Sequence, residues 1–413
     1  MIRWLEDAVA QDCGGKAATM GALRRSGFPV PEGFVIPFSA YLAAATPSAP
    51  PDADVHDDAV RSGAGVPVIP PELTESIARH LSRWSGAPVA VRSSARDEDT
   101  RGASAAGQYA TVLGARDVAS VSAAVRTCWS SLHSDRARSY RHGRARRAPA
   151  GPGAMAVLVQ RLVDARVSGV MFTSSRGHVT RIESAWGLGI GTVGGTVDPD
   201  RYEVHDDGTV MRTIGRKLTR SDRSGDTIRT RRVPEPQRVA PTLDDALANT
   251  LRGLGEGIAD LLGAPQDIEW AMDGGGIWIL QARPVTAEVP SPASATASSP
   301  LRGIAGSRGI ARGPARIVTG PADFARVRRG DILVCRYTDP SWTPLLRVAA
   351  GVVTETGGAL SHAAIVAREH GIPAVLGVPG ATGRIIESAA LTIDGARGTV
   401  DIHLAPRHPK EQK

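Results

Sequence analysis

Short apolar runs alternate with amphipathic stretches along the chain. Runs at Pro88–Val91, Ala156–Gln160, Gly169–Phe172, Ile277–Leu280, Asp331–Val334 and Gly351–Thr354 have the length and β-branched content of strands. Helical spacing of apolar positions predicts helices over Gly15–Arg25, Val118–Leu132, Leu243–Leu262 and His362–Glu369. Strands and helices are interspersed, so the expectation is a mixed chain of α/β and α+β character. The apolar pattern stops at residues 287–300 (AEVPSPASATASSP), where Pro, Ser and Ala dominate. Such a stretch reads as an extended, flexible linker. It predicts one body at 1–286 and a second at 301–413. The first is long enough to divide again, and the Gly/Pro/Ala stretch at 148–153 is the expected break. Residues 46–71 form a Pro/Asp-rich loop without periodicity, and no internal repeats are evident.

A length of 413 residues gives a prior of two or three domains. Hydrophobic residues at 42% and charged residues at 22% suit a chain that buries a full core, and exclude a mostly disordered one. No apolar run reaches about 18 residues, so no membrane helix is expected. Acidic residues interrupt the N-terminus where an export signal needs an apolar stretch. Cys13, Cys128 and Cys335 lie far apart with no CxxC, which fits a reducing cytoplasm. The net charge of +7 is weak evidence for nucleic acid. Before residue 301 there are 34 basic and 33 acidic residues, and after it 15 and 9. The densest basic run, Arg136–Arg147, reads as a solvated helix end, and neither nucleic acid nor membrane is expected as a partner.

Three patterns carry chemistry. Gly14-Gly15-Lys16 opens a helix-like segment, where backbone N–H groups attract anions and a lysine can neutralise phosphate. It is not a P-loop, and a surface lysine is the bland alternative. The chain has only four lysines against 45 arginines, and Lys16 is the first of them by 200 residues. A retained ammonium suggests a need for a compact point charge. Arg92 follows an apolar run and precedes a Gly/Ser/Ala loop containing Gly102 and Ser104. Such a loop lets amides approach a polyphosphate, or is simply a turn. Asp267 and Glu269 then alternate on one strand, Gln281 and Arg283 on the next, across Asp273-Gly274-Gly275-Gly276. These would offer oxygens for Mg²⁺ beside a guanidinium for phosphate, or cross-strand pairing on a surface hairpin. In the C-terminal body, Gly351 to Arg368 reads as strand, Gly-rich turn and helix, with His362 near the helix start. The positive helix end favours a neutral imidazole and a phosphoryl group on it, although a lone histidine there can equally be structural.

Several blocks in order resemble the nucleotide-binding domain of the pyruvate phosphate dikinase and phosphoenolpyruvate synthase family. They are GGKAATMGALRRSGFPVPEGFVI, VAVRSSARDEDTRGASAAGQY, MAVLVQRLVDARVSGVMFT, IESAWGLG with VDPDRYEV, and PQDIEW with ILQARPVT. GIAGSRGIARGPARIV, GDILVCRYTDPSWTPLL and GVVTETGGALSHAAIVAREHGIPAVLGVPGAT are similar to the same family's phosphohistidine domain. The resemblance implies an ATP-grasp domain followed by a swivelling β/α domain. By matched position it implies that Lys16, Arg92 and Arg283 hold ATP phosphates, and that Glu269 and Gln281 ligate Mg²⁺. Asp267 would lie at or beside the metal, Gln160 and Leu162 at the adenine, and Glu183 by the triphosphate or the incoming histidine. His362 would be phosphorylated, with Thr354, Gly357, Gly358 and Ser361 shaping its loop.

The resemblance further implies a two-stage reaction, in which ATP phosphorylates the histidine and the carrier swings to a second site. Covalent transfer splits one difficult step in two. Pyruvate-utilising members continue into a TIM barrel where this sequence stops at Lys413, so no pyruvate site is visible. Rifampicin phosphotransferases, similar in their end domains, carry a long acceptor-binding insert where this chain has only its linker. Ser307-Arg308 replaces a common Ser-Pro. The expected function is therefore a dikinase-type phosphotransferase acting on a small-molecule hydroxyl, amine or guanidine. The alternatives are a half-enzyme whose acceptor site is a separate protein, and a non-catalytic nucleotide-binding regulator.

Overall fold

The computed structural model describes residues 2–45, 67–96, 109–134, 153–174, 179–286, 289–290 and 301–403. Gly102, Ser104, the Arg136–Arg147 run and nearly all of 287–300 lie outside the described residues. The chain packs as two compact units. Unit 1 comprises Met1–Ala165, Asp222–Arg229 and Ile268–Pro284; unit 2 comprises Arg166–Ser221, Thr230–Asp267 and Val285–Lys413. The mixed α/β expectation holds in both.

Unit 1 is built on strands β1 (Arg3–Trp4), β2 (Gly33–Ile36), β3 (Val89–Ala95), β4 (Thr111–Ala115) and β5 (Met155–Arg161), in the sheet order β1-β2-β5-β3-β4. β5 sits between β2 and β3, antiparallel to both, with Gln160 opposite Gly33 on one side and Ala90 on the other. Helix α1 (Ala10–Arg25) and helix α2 (Val118–Ser131) accompany it. The core is aliphatic with Phe34, Trp84 and Trp129 at its centre. Asp117 starts α2 with a reciprocal cap: its carboxylate accepts the Ser120 N–H at 2.7 Å, and Ser120 Oγ accepts the Asp117 N–H at 3.1 Å. α1 begins five residues before the expected start, and its helical geometry breaks at Gly14, where φ is 79°. An added Cβ there would lie 2.5 Å from the Ser94 carbonyl oxygen, so only glycine fits this close approach.

In unit 2, β6 (Val167–Phe172), β7 (Val179–Trp186), β8 (Asp200–His205) and β9 (Val210–Thr213) form an antiparallel meander. Thr219–Ser224 and Thr227–Arg232 form a separate hairpin, β10 and β11, of which Asp222–Arg229 belongs to unit 1. Helix α3 (Asp245–Leu262) packs on β7 to β9. β12 (Gln266–Asp273), which belongs to unit 1 from Ile268 onward, and β13 (Gly276–Pro284), wholly in unit 1, are neighbours joined by the expected glycine turn.

The remaining strands are β14 (Leu301–Arg302), β15 (Ile304–Ser307), β16 (Ile310–Val318), β17 (Ile332–Cys335), β18 (Gly351–Thr354), β19 (Ala374–Leu376), β20 (Ala390–Asp394) and β21 (Thr399–His403). They form one sheet in the order β14-β21-β20-β16-β17-β18-β19-β15. Its centre, β16 to β19, is parallel. Leu333, Cys335 and Val352 enter one core while Ile332, Val334 and Val353 enter another, so both faces are covered. That explains continuous apolar runs here rather than alternation. Helix α4 (His362–His370) follows β18 through the glycine-rich turn.

Among the described residues no helix is long and apolar enough to cross a membrane.

Candidate functional site

On unit 1 the expected nucleotide residues come from α1, β3, β5 and the β12–β13 hairpin. Lys16 is buried, two residues past the Gly14 break. Ser94 on β3 holds this turn: its hydroxyl donates to the Cys13 carbonyl at 2.7 Å and accepts the Ala17 N–H at 3.1 Å. The lysine is thereby placed at the start of a renewed helix, with the anion preference that such a start carries. Arg92 is two residues before Ser94 on the same strand, so it shares that face. Its Nη1 donates to the Leu280 carbonyl on β13 at 2.9 Å. Its Nε is buried with no hydrogen-bond partner among the described residues. Gln281 and Arg283, alternating on β13, are both buried, while Glu269 is half-buried and Asp267 buried on β12.

Gln160 is buried on β5, with its amide donating to the Pro31 carbonyl at 3.3 Å. The Leu162 N–H already donates to the Pro88 carbonyl at 2.9 Å, so a base here could use only its carbonyl and side chain. Among the described residues no group of three or more His, Cys, Asp and Glu could hold a metal ion alone. Glu269 and Gln281 offer two oxygens. That donor set fits Mg²⁺, which keeps waters and takes phosphate oxygens as further ligands.

Unit 2 contains the histidine and its loop. His362 is the first residue of α4, 4% exposed, and its Nδ1 lies 3.1 Å from Thr338 Oγ1. The turn before it is folded on itself. Thr354 Oγ1 donates to the Thr356 carbonyl at 2.7 Å, Gly357 has φ 100°, and Ser361 Oγ donates to the Gly358 carbonyl at 2.8 Å. The loop is also held from β7. Glu183, buried, accepts the N–H groups of Ala359 at 2.7 Å and Leu360 at 3.1 Å. An added Cβ at Gly358 would run into that carboxylate. From the other side Arg368 Nη1 donates to the carbonyls of Ala359 at 2.7 Å and Gly306 at 2.8 Å.

Burial pushes the Glu183 carboxyl above its ordinary value, opposed by the two N–H groups and the nearby Arg201 and Arg368. Burial likewise lowers Arg368 to about 10, opposed by Asp267, Glu183 and Glu369. Glu183 therefore touches the histidine loop directly. Thr338, absent from the sequence reading, is the further residue that the structure brings to His362.

One unit thus carries a buried histidine that heads a helix after a glycine turn, and the other carries Lys16, Arg92, Glu269, Gln281 and Arg283. Residues 52–299 match the pyruvate phosphate dikinase AMP/ATP-binding domain, and residues 327–398 match the mobile domain of phosphoenolpyruvate-utilising enzymes. The chain belongs to the pyruvate phosphate dikinase and phosphoenolpyruvate synthase family, and has its ATP-grasp plus swivelling-domain arrangement.

A probable phosphoenolpyruvate synthase of Archaeoglobus fulgidus is 37% identical over 97% of this chain and 58% of its own length. One of Methanothermobacter thermautotrophicus is 36% identical over 94% of this chain and 61% of its own. The phosphoenolpyruvate synthase of Escherichia coli is 37% identical over 79% of this chain and 45% of its own. The chain thus spans 58% to 61% of the length of the first two.

Proposed function

We propose that the protein is an ATP-dependent dikinase-type phosphotransferase that works through phosphohistidine at His362. The observation that carries this reading is the His362 environment. For Nε2 to act as nucleophile, Nδ1 must hold the ring proton, and Thr338 Oγ1 at 3.1 Å is placed to accept it. Nε2 then attacks the β-phosphorus of ATP, the bond to the α-phosphate oxygen breaks, and AMP leaves. The terminal phosphoryl group passes to water or inorganic phosphate, and the phosphoryl group left on Nε2 goes to the acceptor. Lys16, Arg92 and Arg283 would hold the phosphates, and Glu269 and Gln281 would hold Mg²⁺ with Asp267 in support. When bound, that ion would offset charge on the transferred group. Gln160 and Leu162 would line the adenine; Gly102 and Ser104, proposed to contact the nucleotide, lie outside the described residues. The acceptor would be a small molecule.

We further propose the division into a nucleotide domain at 1–286, a linker at 287–300 and a carrier at 301–413, with the carrier leaving Glu183 to deliver its phosphoryl group. The test is incubation with Mg²⁺ and ATP labelled at the β-phosphate. Acid-labile label on the wild type, AMP release, and no label on His362→Ala support the proposal. Label drawn from the γ-position with ADP formed, or label persisting in His362→Ala, overturns it.

A further inference from the structure

A cavity of about 520 Å³ lies within unit 2, on the face of the β7–β9 meander. That volume is within the range of small-molecule sites. Register places Arg181 opposite Glu203, Glu183 opposite Arg201, and Arg201 opposite Thr213, so these side chains share one face and form the floor. Leu360 of the histidine loop, Ile304, Val289 and Pro290 supply apolar walls.

The charges on this floor are unequally engaged. Arg181 pairs with Glu203 at 3.2 Å and donates to the Val289 carbonyl at 3.0 Å. Arg212 pairs with Asp245 at 2.5 Å, and the Glu183 oxygens take the two loop N–H groups. Arg397 stands 3.6 Å from Asp394. Arg201 acts on Glu183 through its field, and its guanidinium makes no hydrogen bond or contact ion pair among the described residues. Asp245 and Asp394 balance Arg212 and Arg397, and Glu203 balances Arg181, so Arg201 is the guanidinium that faces this space outside a contact pair. A planar fork beside apolar walls suits a carboxylate on an apolar body.

We propose that this cavity binds a small carboxylate with an apolar body, its anionic group on Arg201 and its body against Leu360 and Ile304.

The full-length protein is titrated with benzoate, and with neutral benzamide as its control, by ligand-observed NMR. Arg201→Gln and Thr213→Trp are compared with the wild type, and circular dichroism confirms their folding. Thr213 is exposed on its edge strand, so tryptophan there narrows the cavity without entering a core. Saturable benzoate binding, at least about tenfold weaker for benzamide and in Arg201→Gln, and abolished by Thr213→Trp, is the expected result. No saturation by about 10 mM benzoate, or equal binding in both variants, overturns the site. Histidine labelling from β-labelled ATP is read in the same wild-type sample. Its absence sinks the phosphotransfer reading and leaves the binding result to decide the cavity by itself.

Discussion

Glu183 and Asp200 are both buried in unit 2, and their surroundings differ in how fully each charge is compensated. Asp200 accepts five hydrogen bonds: from the Lys217 ammonium at 2.5 Å, the Gly215 N–H at 2.8 Å, the Thr242 N–H at 2.8 Å, the Thr242 hydroxyl at 2.9 Å and the Tyr202 hydroxyl at 3.5 Å. Both members of the ion pair are fully buried. Glu183 accepts two backbone N–H groups and has arginines nearby but no contact ion pair among the described residues. Its desolvation is incompletely offset, as the raised carboxyl shows. A well-compensated buried charge anchors a fold, whereas a poorly compensated one stabilises its contact less, as the proposed release of the histidine loop would need.

The sharpest way to break this comparison is to remove the anchor. Asp200→Ala leaves the Lys217 ammonium buried without its counter-charge, which is expected to destabilise the protein by about 3–5 kcal/mol. Chemical unfolding of the variant measures it. Adding Lys217→Met should restore much of the loss, because the uncompensated charge goes with it. A loss below about 1 kcal/mol would place Asp200 among surface-like pairs and remove the contrast with Glu183.

A smaller effect concerns the imidazole. Thr338→Val removes the hydroxyl at Nδ1 while preserving shape, and histidine labelling from β-labelled ATP should slow by about tenfold, the rate equivalent of one ordinary hydrogen bond. Thr338→Ser should recover most of the rate, with ATP affinity the same in all three proteins. An unchanged rate in Thr338→Val would mean that Thr338 merely fills space beside the ring.

How much of this was legible beforehand follows physical lines. The His362 turn could be read because strand, glycines and helix are contiguous, and β18 was placed at its observed limits. Thr338 lies 24 residues upstream, and its contact depends on two loops converging, which no local pattern encodes. The partners of Glu183 are backbone N–H groups, which have no side-chain signature, so only its position could be anticipated. β7 to β9 were not expected as strands because their apolar positions are interrupted by Arg181, Glu183, Arg201 and Glu203, the residues that floor the cavity. Lysine scarcity proved ambiguous. Lys217, as rare as Lys16, serves a buried ion pair, so scarcity reports a need for a compact ammonium and not its purpose.

The smallest expected effect tests the hold itself through pH. Burial raises the folded-state carboxyl of Glu183, while the unfolded chain keeps the ordinary glutamate value. Between those two values the folded state binds the proton and the unfolded state does not, so folded stability falls as pH rises across that window. Below the window both states are protonated and above it both are ionised, so the contribution is flat on either side. Glu183→Gln cannot titrate and should lack this slope. The thermal midpoint of the wild type relative to Glu183→Gln should therefore decline on going from acid through the raised value, then level off. Salt should change the slope little, because the group is buried and poorly screened. A difference that instead grows with pH would mean that the ionised carboxylate is the better satisfied form, and that Glu183 anchors the histidine loop in the way Asp200 anchors β8.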